Sequence, residues 1–225
     1  MADKQLDRIF AVLLEQYGPR HWWPGESPFE VCVGAILTQN TNWGNVEKAI
    51  ANLKAAGRLS VAGIAGLLPD ALAALIRPAG YFNIKAARLQ AFVGFLLDQY
   101  DGSLDRLFAG PWQHTRAELL AVKGIGPETA DSILLYAGHK PSFVVDAYTR
   151  RIFSRLGLVD EQISYDGLRR HFMDSLASDT ALFNEYHALI VELGKQVCRP
   201  RPHCNRCCLA EQCPYNAISP KVSKR

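Results

Sequence analysis

One carboxylate and one glycine turn are the residues that could carry chemistry. Asp146 comes directly after the apolar run 143–145, and a short break separates this run from the helical pattern that follows the turn Gly124-Ile125-Gly126. Because glycine tolerates positive φ and lets another group approach the backbone, the turn can offer amide N–H groups to a phosphate. A nearby carboxylate can stabilise positive charge on a sugar as a glycosidic bond breaks, and can orient or deprotonate a water molecule. The two features together predict chemistry on a nucleotide that is held by its phosphate.

A helix is predicted on each side of the glycine turn. Thr115 and Glu118 fit a capping box, so the first helix should cover residues 116–122. Pro127 suits the first position of a second helix over 127–137, whose unbonded N–H groups and positive dipole end favour an anion. An ordinary helical hairpin with a glycine turn is the alternative to a phosphate site.

Asp146 should also be the N-cap of the next helix, over 147–156. This structural role can coexist with a catalytic one. Arg150 and Arg151 lie one turn further along and could meet phosphates, although a solvated helix face is the ordinary role of such a pair.

The stretch VKGIGPETA followed by VVDAYTRRI resembles the helix-hairpin-helix and Gly/Pro–Asp signature of the endonuclease III superfamily of DNA glycosylases, and the resemblance covers almost the whole chain. It implies that Asp146 is the catalytic acid. Bifunctional members carry a lysine two residues after the second hairpin glycine, which attacks C1′ and forms a Schiff base. This chain has Glu128 there, and a carboxylate cannot form an imine. Lys123 lies close by, but its spacing does not match that of the family lysine.

Four cysteines near the C-terminus have the spacing of a metal or cluster site. Cys198, Cys204, Cys207 and Cys213 give C-x5-C-x2-C-x5-C, and four thiolates fit either zinc or an iron–sulfur cluster. The resemblance implies a [4Fe–4S] cluster, because the endonuclease III loop usually reads C-x6-C-x2-C-x5-C; the first gap here is one residue shorter. Cys208 is either a bystander or a substitute ligand.

The compartment of the protein decides how these cysteines are interpreted. The sequence shows neither a signal peptide nor an apolar run of membrane length. We therefore expect a reducing compartment, cytoplasmic (with the nucleoid, in a bacterium) or nuclear in a eukaryote, and not a secreted protein. In such a compartment clustered cysteines indicate metal binding rather than disulfides.

Positive charge is concentrated around the cysteines. The chain has a net charge of +3, whereas residues 195–225 hold seven Lys and Arg against the single acid Glu211, a net charge of +6, which leaves −3 for the rest. A local basic surface on a nearly neutral protein predicts a polyanionic partner. Arg199, Arg201 and Arg206 lie inside the cysteine loop and are better candidates for phosphate contacts than the basic tail.

Aromatic residues flank the first long apolar helix, with Trp22-Trp23-Pro24 before it and Trp43 after it. They could clamp a flat ring, because enzymes that act on a flipped base hold it between aromatic faces; core packing is the alternative. Together with Glu128, this pattern resembles most closely the endonuclease III-type 3-methyladenine DNA glycosylases, which have an aromatic pocket and no lyase activity. Better-known members of that branch lack the cluster cysteines, which this chain retains.

Matched positions of the family imply two sets of site residues. The base pocket would consist of Trp23, Pro24, Trp43, Lys195 and Glu128. The DNA contacts would come from the hairpin and its surroundings, with Gln39 filling the hole that the flipped base leaves: Gln39, Gly124, Ile125, Gly126, Thr129 and Arg150.

Helical periodicity dominates the chain and predicts an all-α fold. The family pattern implies two lobes: a six-helix lobe over 24–137 that includes the hairpin, and a second lobe of 1–23 with 138–225 that carries Asp146 and the cluster loop 198–213. A cleft between them would place Asp146 opposite the aromatic pocket. The predicted helices are 5–17, 28–37, 45–55, 69–76, 84–99, 104–107, 116–122, 127–137, 147–156, 165–176 and 181–197.

Three functions stay open at this point. The leading hypothesis is a monofunctional DNA glycosylase of base-excision repair that flips and excises an alkylated, 3-methyladenine-like base. The second is a bifunctional glycosylase and AP lyase for oxidised pyrimidines. The third is a non-catalytic iron–sulfur protein that binds DNA or senses redox state. The expected partner is double-stranded DNA containing a damaged base, with no membrane contact and the protein acting as a monomer.

Overall fold

The computed structural model describes residues 4–20, 22–23 and 25–218, and within these ranges the regular secondary structure is entirely helical, with no strand. The helices are α1 (Lys4–Tyr17), α2 (Pro28–Leu37), α3 (Trp43–Ala55), α4 (Val61–Ala65), α5 (Pro69–Leu75), α6 (Phe82–Tyr100), α7 (Leu104–Ala109), α8 (Trp112–Ala121), α9 (Pro127–Ser132), α10 (Ala147–Arg155), α11 (Tyr165–Ser175), α12 (Thr180–Gln196) and α13 (Pro214–Ile218). The predicted all-α class is confirmed.

The chain divides into two compact units. One unit is continuous and covers Trp23–Ser142, while the other joins Met1–Trp22 to Phe143–Arg225. The sequence placed the first of these at 24–137. The glycine turn and the aromatic residues Trp23 and Trp43 thus belong to the continuous unit, whereas Asp146 and the five cysteines at 198–213 belong to the discontinuous one.

Lys85 organises the continuous unit from its interior. Its side chain is 1% exposed, and its Nζ donates hydrogen bonds to the carbonyl oxygens of Leu37 (2.9 Å) and Ala79 (2.7 Å). Burial and the nearby Arg88 guanidinium lower the pKa of Lys85. An ammonium that bonds the last carbonyls of a helix satisfies groups that have no partner within that helix. Lys85 therefore ties the end of α2, just before Gln39, to the segment before α6.

The helix that precedes the glycine turn begins earlier than predicted. The sequence placed its start at residue 116 behind a capping box at Thr115, but α8 begins at Trp112, and Pro111 is its N-cap without a side-chain bond. Thr115 instead lies within α8, and its side chain is buried. Its hydroxyl donates to the carbonyl oxygen of Leu107 at 3.1 Å. This partner, near the end of α7, makes Thr115 unavailable as a cap.

The helix that follows the glycine turn changes its winding. α9 is α-helical over Pro127–Ser132 and continues as a π-helical turn over Ile133–Ala137. Such turns are rare and occur often at functional sites. The helix pair is tied together at Asp131, which is fully buried and accepts two hydrogen bonds from Arg116 of α8, at 2.8 and 3.0 Å.

The discontinuous unit is built around α12, which packs against α10 and α1. Tyr186 of α12 is fully buried, and its hydroxyl donates to the carbonyl oxygen of Leu6 in α1 at 3.0 Å. Phe143 stacks on Phe172 of α11 with the ring centroids 4.2 Å apart. Phe143 begins the apolar run that ends just before Asp146. Its packing in this aromatic core therefore fixes the position of the segment that carries the acid.

Candidate active site

Asp146 is the N-cap of α10, as the sequence predicts. Its Oδ1 accepts hydrogen bonds from the Thr149 backbone N–H at 2.8 Å and from the Thr149 hydroxyl at 2.9 Å. The Asp146 backbone N–H in turn donates to the Thr149 hydroxyl at 3.3 Å, which completes a capping box. One carboxylate oxygen is therefore committed to the helix terminus, and Oδ2 is the oxygen left for other interactions.

His187 lies beside that second oxygen. Its Nε2 is 3.6 Å from Asp146 Oδ2, and the two side chains are 7% and 12% exposed. Burial raises the pKa of the Asp146 carboxyl, but the interactions with His187 and the hydrogen bonds from Thr149 outweigh burial, so the pKa lies below the usual value of 3.8. The acid is thus ionised at neutral pH while it keeps a small window to solvent. An ionised, partly desolvated carboxylate is suited to stabilising a cation rather than to donating a proton.

The glycine turn has different requirements at its two glycines. Gly124 has φ +91°, and a Cβ there would come within 2.3 Å of the Arg88 side chain, so only glycine fits. Gly126 is the N-cap of α9, and nothing lies within 4 Å of where its Cβ would be. The Ile125 side chain is 4% exposed and packs into the apolar interior. The turn can present backbone groups at Gly126 while Arg88 covers Gly124.

Gln39 is bonded to this turn. Its Nε2 donates to the Thr129 hydroxyl at 2.8 Å and to the Gly124 carbonyl oxygen at 3.2 Å, and its Oε1 accepts a hydrogen bond from Arg88 Nη1. Thr129 is 6% exposed. Two residues that the family pattern assigns to DNA thus contact each other, and Arg88 bonds to one of them, Gln39.

Arg150, also assigned to DNA, uses its guanidinium within the discontinuous unit. Its Nη1 donates to the carbonyl oxygen of Ile163 at 2.5 Å, and the residue is half-buried. Its role as a DNA contact stays a prediction.

The structure brings together two of the predicted pocket residues. Trp23 and Trp43 meet edge to face with ring centroids 5.0 Å apart. Gly34 of α2 lies beneath them, and a Cβ there would be 3.5 Å from each indole. Tyr136, which the sequence did not single out, packs on Trp23 at 4.9 Å with its ring tilted by 39°. Tyr136 belongs to the π-helical turn, so the winding of this turn determines where the Tyr136 ring packs against Trp23.

Three predicted pocket residues remain: Pro24, Lys195 and Glu128. Pro24 is outside the described residues. Lys195 is exposed on α12 in the discontinuous unit, with Nζ 5.5 Å above the Trp22 ring. Glu128 is exposed in the first turn of α9, where an acid suits the helix dipole.

All four predicted ligand cysteines line one cavity: Cys198, Cys204, Cys207 and Cys213. Arg155 lies beside it and donates from Nη1 to Cys198 Sγ at 3.3 Å and to the Arg199 carbonyl oxygen at 2.7 Å. Its guanidinium also stacks over the Tyr215 ring at 4.5 Å. Arg155 of α10 therefore contacts both ends of the loop, about two and a half turns after the acid that caps the same helix.

Cys204 and Cys207 in this cavity hold their protons more tightly than a free cysteine does. Burial raises the pKa of Cys207 to about 11, and burial together with the neighbouring thiols Cys213 and Cys198 raises that of Cys204. Metal binding would have to displace these protons. In the described part of the chain, no three His, Cys, Asp or Glu side chains converge tightly on one point as ligands of a single ion.

The chain is similar to known DNA repair proteins over most of its length. Residues 33–178 match the model of the HhH-GPD superfamily of base-excision DNA repair proteins. A protein of Methanocaldococcus jannaschii, "Putative DNA repair glycosylase MJ1434", is 48% identical over 209 residues, covering 92% of this chain and 94% of its own. Endonuclease III of Thermotoga maritima is 29% identical over 189 residues, covering 84% of this chain and 83% of its own.

Solved structures agree on the fold. The Helicobacter pylori 3-methyladenine DNA glycosylase MagIII, bound to 1,N6-ethenoadenine, is 33% identical with a TM-score of 0.75 and covers 86% of this chain and 96% of its own. A non-covalent endonuclease III–DNA complex has a TM-score of 0.83 at 23% identity, covering 97% of this chain and 98% of its own.

The described residues, which are helical and include the glycine hairpin, have the fold of base-excision DNA glycosylases. The chain belongs to the HhH-GPD superfamily, within the endonuclease III group that its sequence resembles. None of the helices in the described ranges has the length and apolar character needed to cross a membrane.

The lowered pKa of Asp146 predicts a pH-dependent contribution to stability. Because the folded pKa lies below that of the unfolded chain, about 3.9, ionised Asp146 stabilises the fold above that pH, and this contribution is lost as the pH falls through the folded value. Asparagine caps helices about as well as aspartate. We expect Asp146→Asn to lower the free energy of unfolding more at about pH 6 than at about pH 3, as measured by urea denaturation. An equal difference at the two pH values would contradict the assignment.

Proposed function

We propose that this protein is a monofunctional DNA glycosylase that releases an alkylated purine from double-stranded DNA. The observation that carries the proposal is the geometry of Asp146: an ionised carboxylate fixed at a helix N-terminus with one oxygen committed to the cap and the other beside His187. Such a group stabilises a cationic sugar, and it needs a leaving group that departs without strong acid catalysis.

An alkylated purine is such a leaving group. The base already carries a positive charge, so the N-glycosidic bond can break with its electron pair moving to the base, which leaves as a neutral molecule. The sugar becomes an oxocarbenium ion that Asp146 stabilises. Water then adds to C1′ and gives up one proton, which Asp146 or solvent accepts. The products are the free base and an intact abasic site.

The aromatic cluster of Trp23, Trp43 and Tyr136 supports the choice of base. A cationic ring is attracted to the face of an indole, and more strongly when water is excluded. Trp23 is held by Trp43 on one side and by Tyr136 on another, so its orientation is fixed before a base arrives. The likeness to MagIII, a 3-methyladenine DNA glycosylase, supports an alkylated adenine as the base.

The residue at position 128 supports base release without strand cleavage. Glu128 is exposed at the start of α9 and cannot form a Schiff base. The bifunctional alternative would need another amine, of which Lys123, directly before Gly124, is the nearest in sequence.

A panel of duplexes, each with one lesion, separates these functions. We expect base release from duplexes with 3-methyladenine, an intact abasic strand, and no adduct trapped by borohydride. Strand nicking on an oxidised pyrimidine that disappears in Lys123→Ala would establish the bifunctional alternative instead. Binding to all duplexes without release of any base would favour the non-catalytic alternative.

The cysteine loop is proposed to hold a [4Fe–4S] cluster. Its donor set fits, because four thiols line one cavity and the Arg155 guanidinium, which would stabilise a thiolate, bonds to Cys198. When bound, the cluster would join the loop that carries Arg199, Arg201 and Arg206 into one rigid segment. Basic side chains on a rigid segment lose less entropy on binding phosphate than those on a free tail.

Cys204→Ser tests the cluster, and Cys208→Ser is the matched control, because Cys208 does not line the cavity. We expect the purified protein to be brown, Cys204→Ser to lose the visible absorbance and the bound iron, and Cys208→Ser to keep both. A colourless wild-type protein that contains zinc and no iron would show that the loop is a zinc site.

A further inference from the structure

The free oxygen of Asp146 faces a histidine that the base-release chemistry above does not use. Thr149 occupies Oδ1, and His187 Nε2 lies 3.6 Å from Oδ2. His187 is 6% exposed in the middle of α12. A buried imidazole this close to the carboxylate can affect the reaction by orienting Asp146.

The packing of α10 against α12 keeps this distance short. A Cβ on Gly194 would come within 2.4 Å of the Tyr148 ring, so α12 needs glycine there to lie this close to α10. Arg151 of α10 reinforces the contact, because its guanidinium donates to the carbonyl oxygens of Gly194 at 3.2 Å and Cys198 at 2.9 Å. The acid and the histidine are thus carried by two helices that cannot separate without breaking these contacts.

We propose that His187 is a positioning residue for Asp146: its imidazole holds Oδ2 and keeps the carboxylate aligned for the cationic sugar. The proposal rests on the proposed glycosylase function for its kinetic consequence, but the contact itself can be tested in the free protein. The carboxylate then has both oxygens restrained, one by the helix cap and one by α12. A restrained carboxylate needs no reorganisation as the charge develops.

The kinetic test compares His187→Leu with His187→Gln. Leucine removes the N–H donor, whereas glutamine keeps an N–H donor of similar reach. In single-turnover reactions on a duplex that the wild type cleaves at the glycosidic bond, we expect His187→Leu to lower the rate about 10- to 100-fold, the range seen for partners that orient an active group. His187→Gln should recover most of that loss, and the affinity for the duplex should stay unchanged in both.

Tyr186→Phe is the matched control. It removes a buried hydrogen bond from the neighbouring position of the same helix, but that bond goes to Leu6 of α1 and not to Asp146. We expect Tyr186→Phe to lower thermal stability and to leave the single-turnover rate of folded protein unchanged. A rate loss in Tyr186→Phe as large as that in His187→Leu would show a general effect of destabilising α12 and would overturn the proposal.

A double-mutant cycle with Asp146→Asn tests the contact without any substrate. If His187 acts through Asp146, the two substitutions should be non-additive in urea unfolding of the free protein. Additive effects would overturn the proposal, as would a wild-type rate in His187→Leu or a failure of His187→Gln to recover activity. If the wild type releases no base from any duplex, the proposed function fails, and the unfolding cycle still decides whether His187 holds Asp146.

Discussion

The hydrogen bonds between Asp146 and Thr149 are the constraint on which the site depends. They place a carboxylate at the positive end of α10 and fix the orientation of one oxygen. The same helix carries Arg151, which bonds to Gly194 of α12, and Arg155, which bonds to the cysteine loop. A single short helix thus connects the acid, its histidine neighbour and the candidate cluster, so a disturbance of the loop is expected to reach the acid through α10.

In the continuous unit, close contacts also hold the glycine turn in place. Gly124 has no Cβ because the Arg88 side chain occupies that space, and Arg88 in turn bonds to Gln39. Buried Lys85 fixes the end of the helix from which the Gln39 loop departs. Hydrogen bonds therefore link the Gln39 loop, which we expect to enter the duplex, to the glycine turn, which we expect to bind phosphate. A movement of one is expected to move the other.

The sequence was sufficient to predict features that depend on residues close together in the chain. Asp146 could be recognised as a cap because its partner, Thr149, is three residues away. The sequence failed where the deciding partner is distant in the chain. Thr115 looks like a cap, but it bonds to Leu107 of the preceding helix. The π-helical turn that orients Tyr136 against Trp23 has no sequence signature, and the short helix α4 was missed because five residues give no periodicity.

The most direct measurement of the central claim compares Asp146→Asn with the wild type in two assays on the same lesion-containing duplex: the single-turnover rate of base release and the equilibrium affinity. Asparagine preserves the cap and the shape of the side chain but removes the charge. The account predicts a rate lower by several orders of magnitude with unchanged affinity. An unchanged rate, or a loss of affinity that parallels the loss of rate, would contradict it.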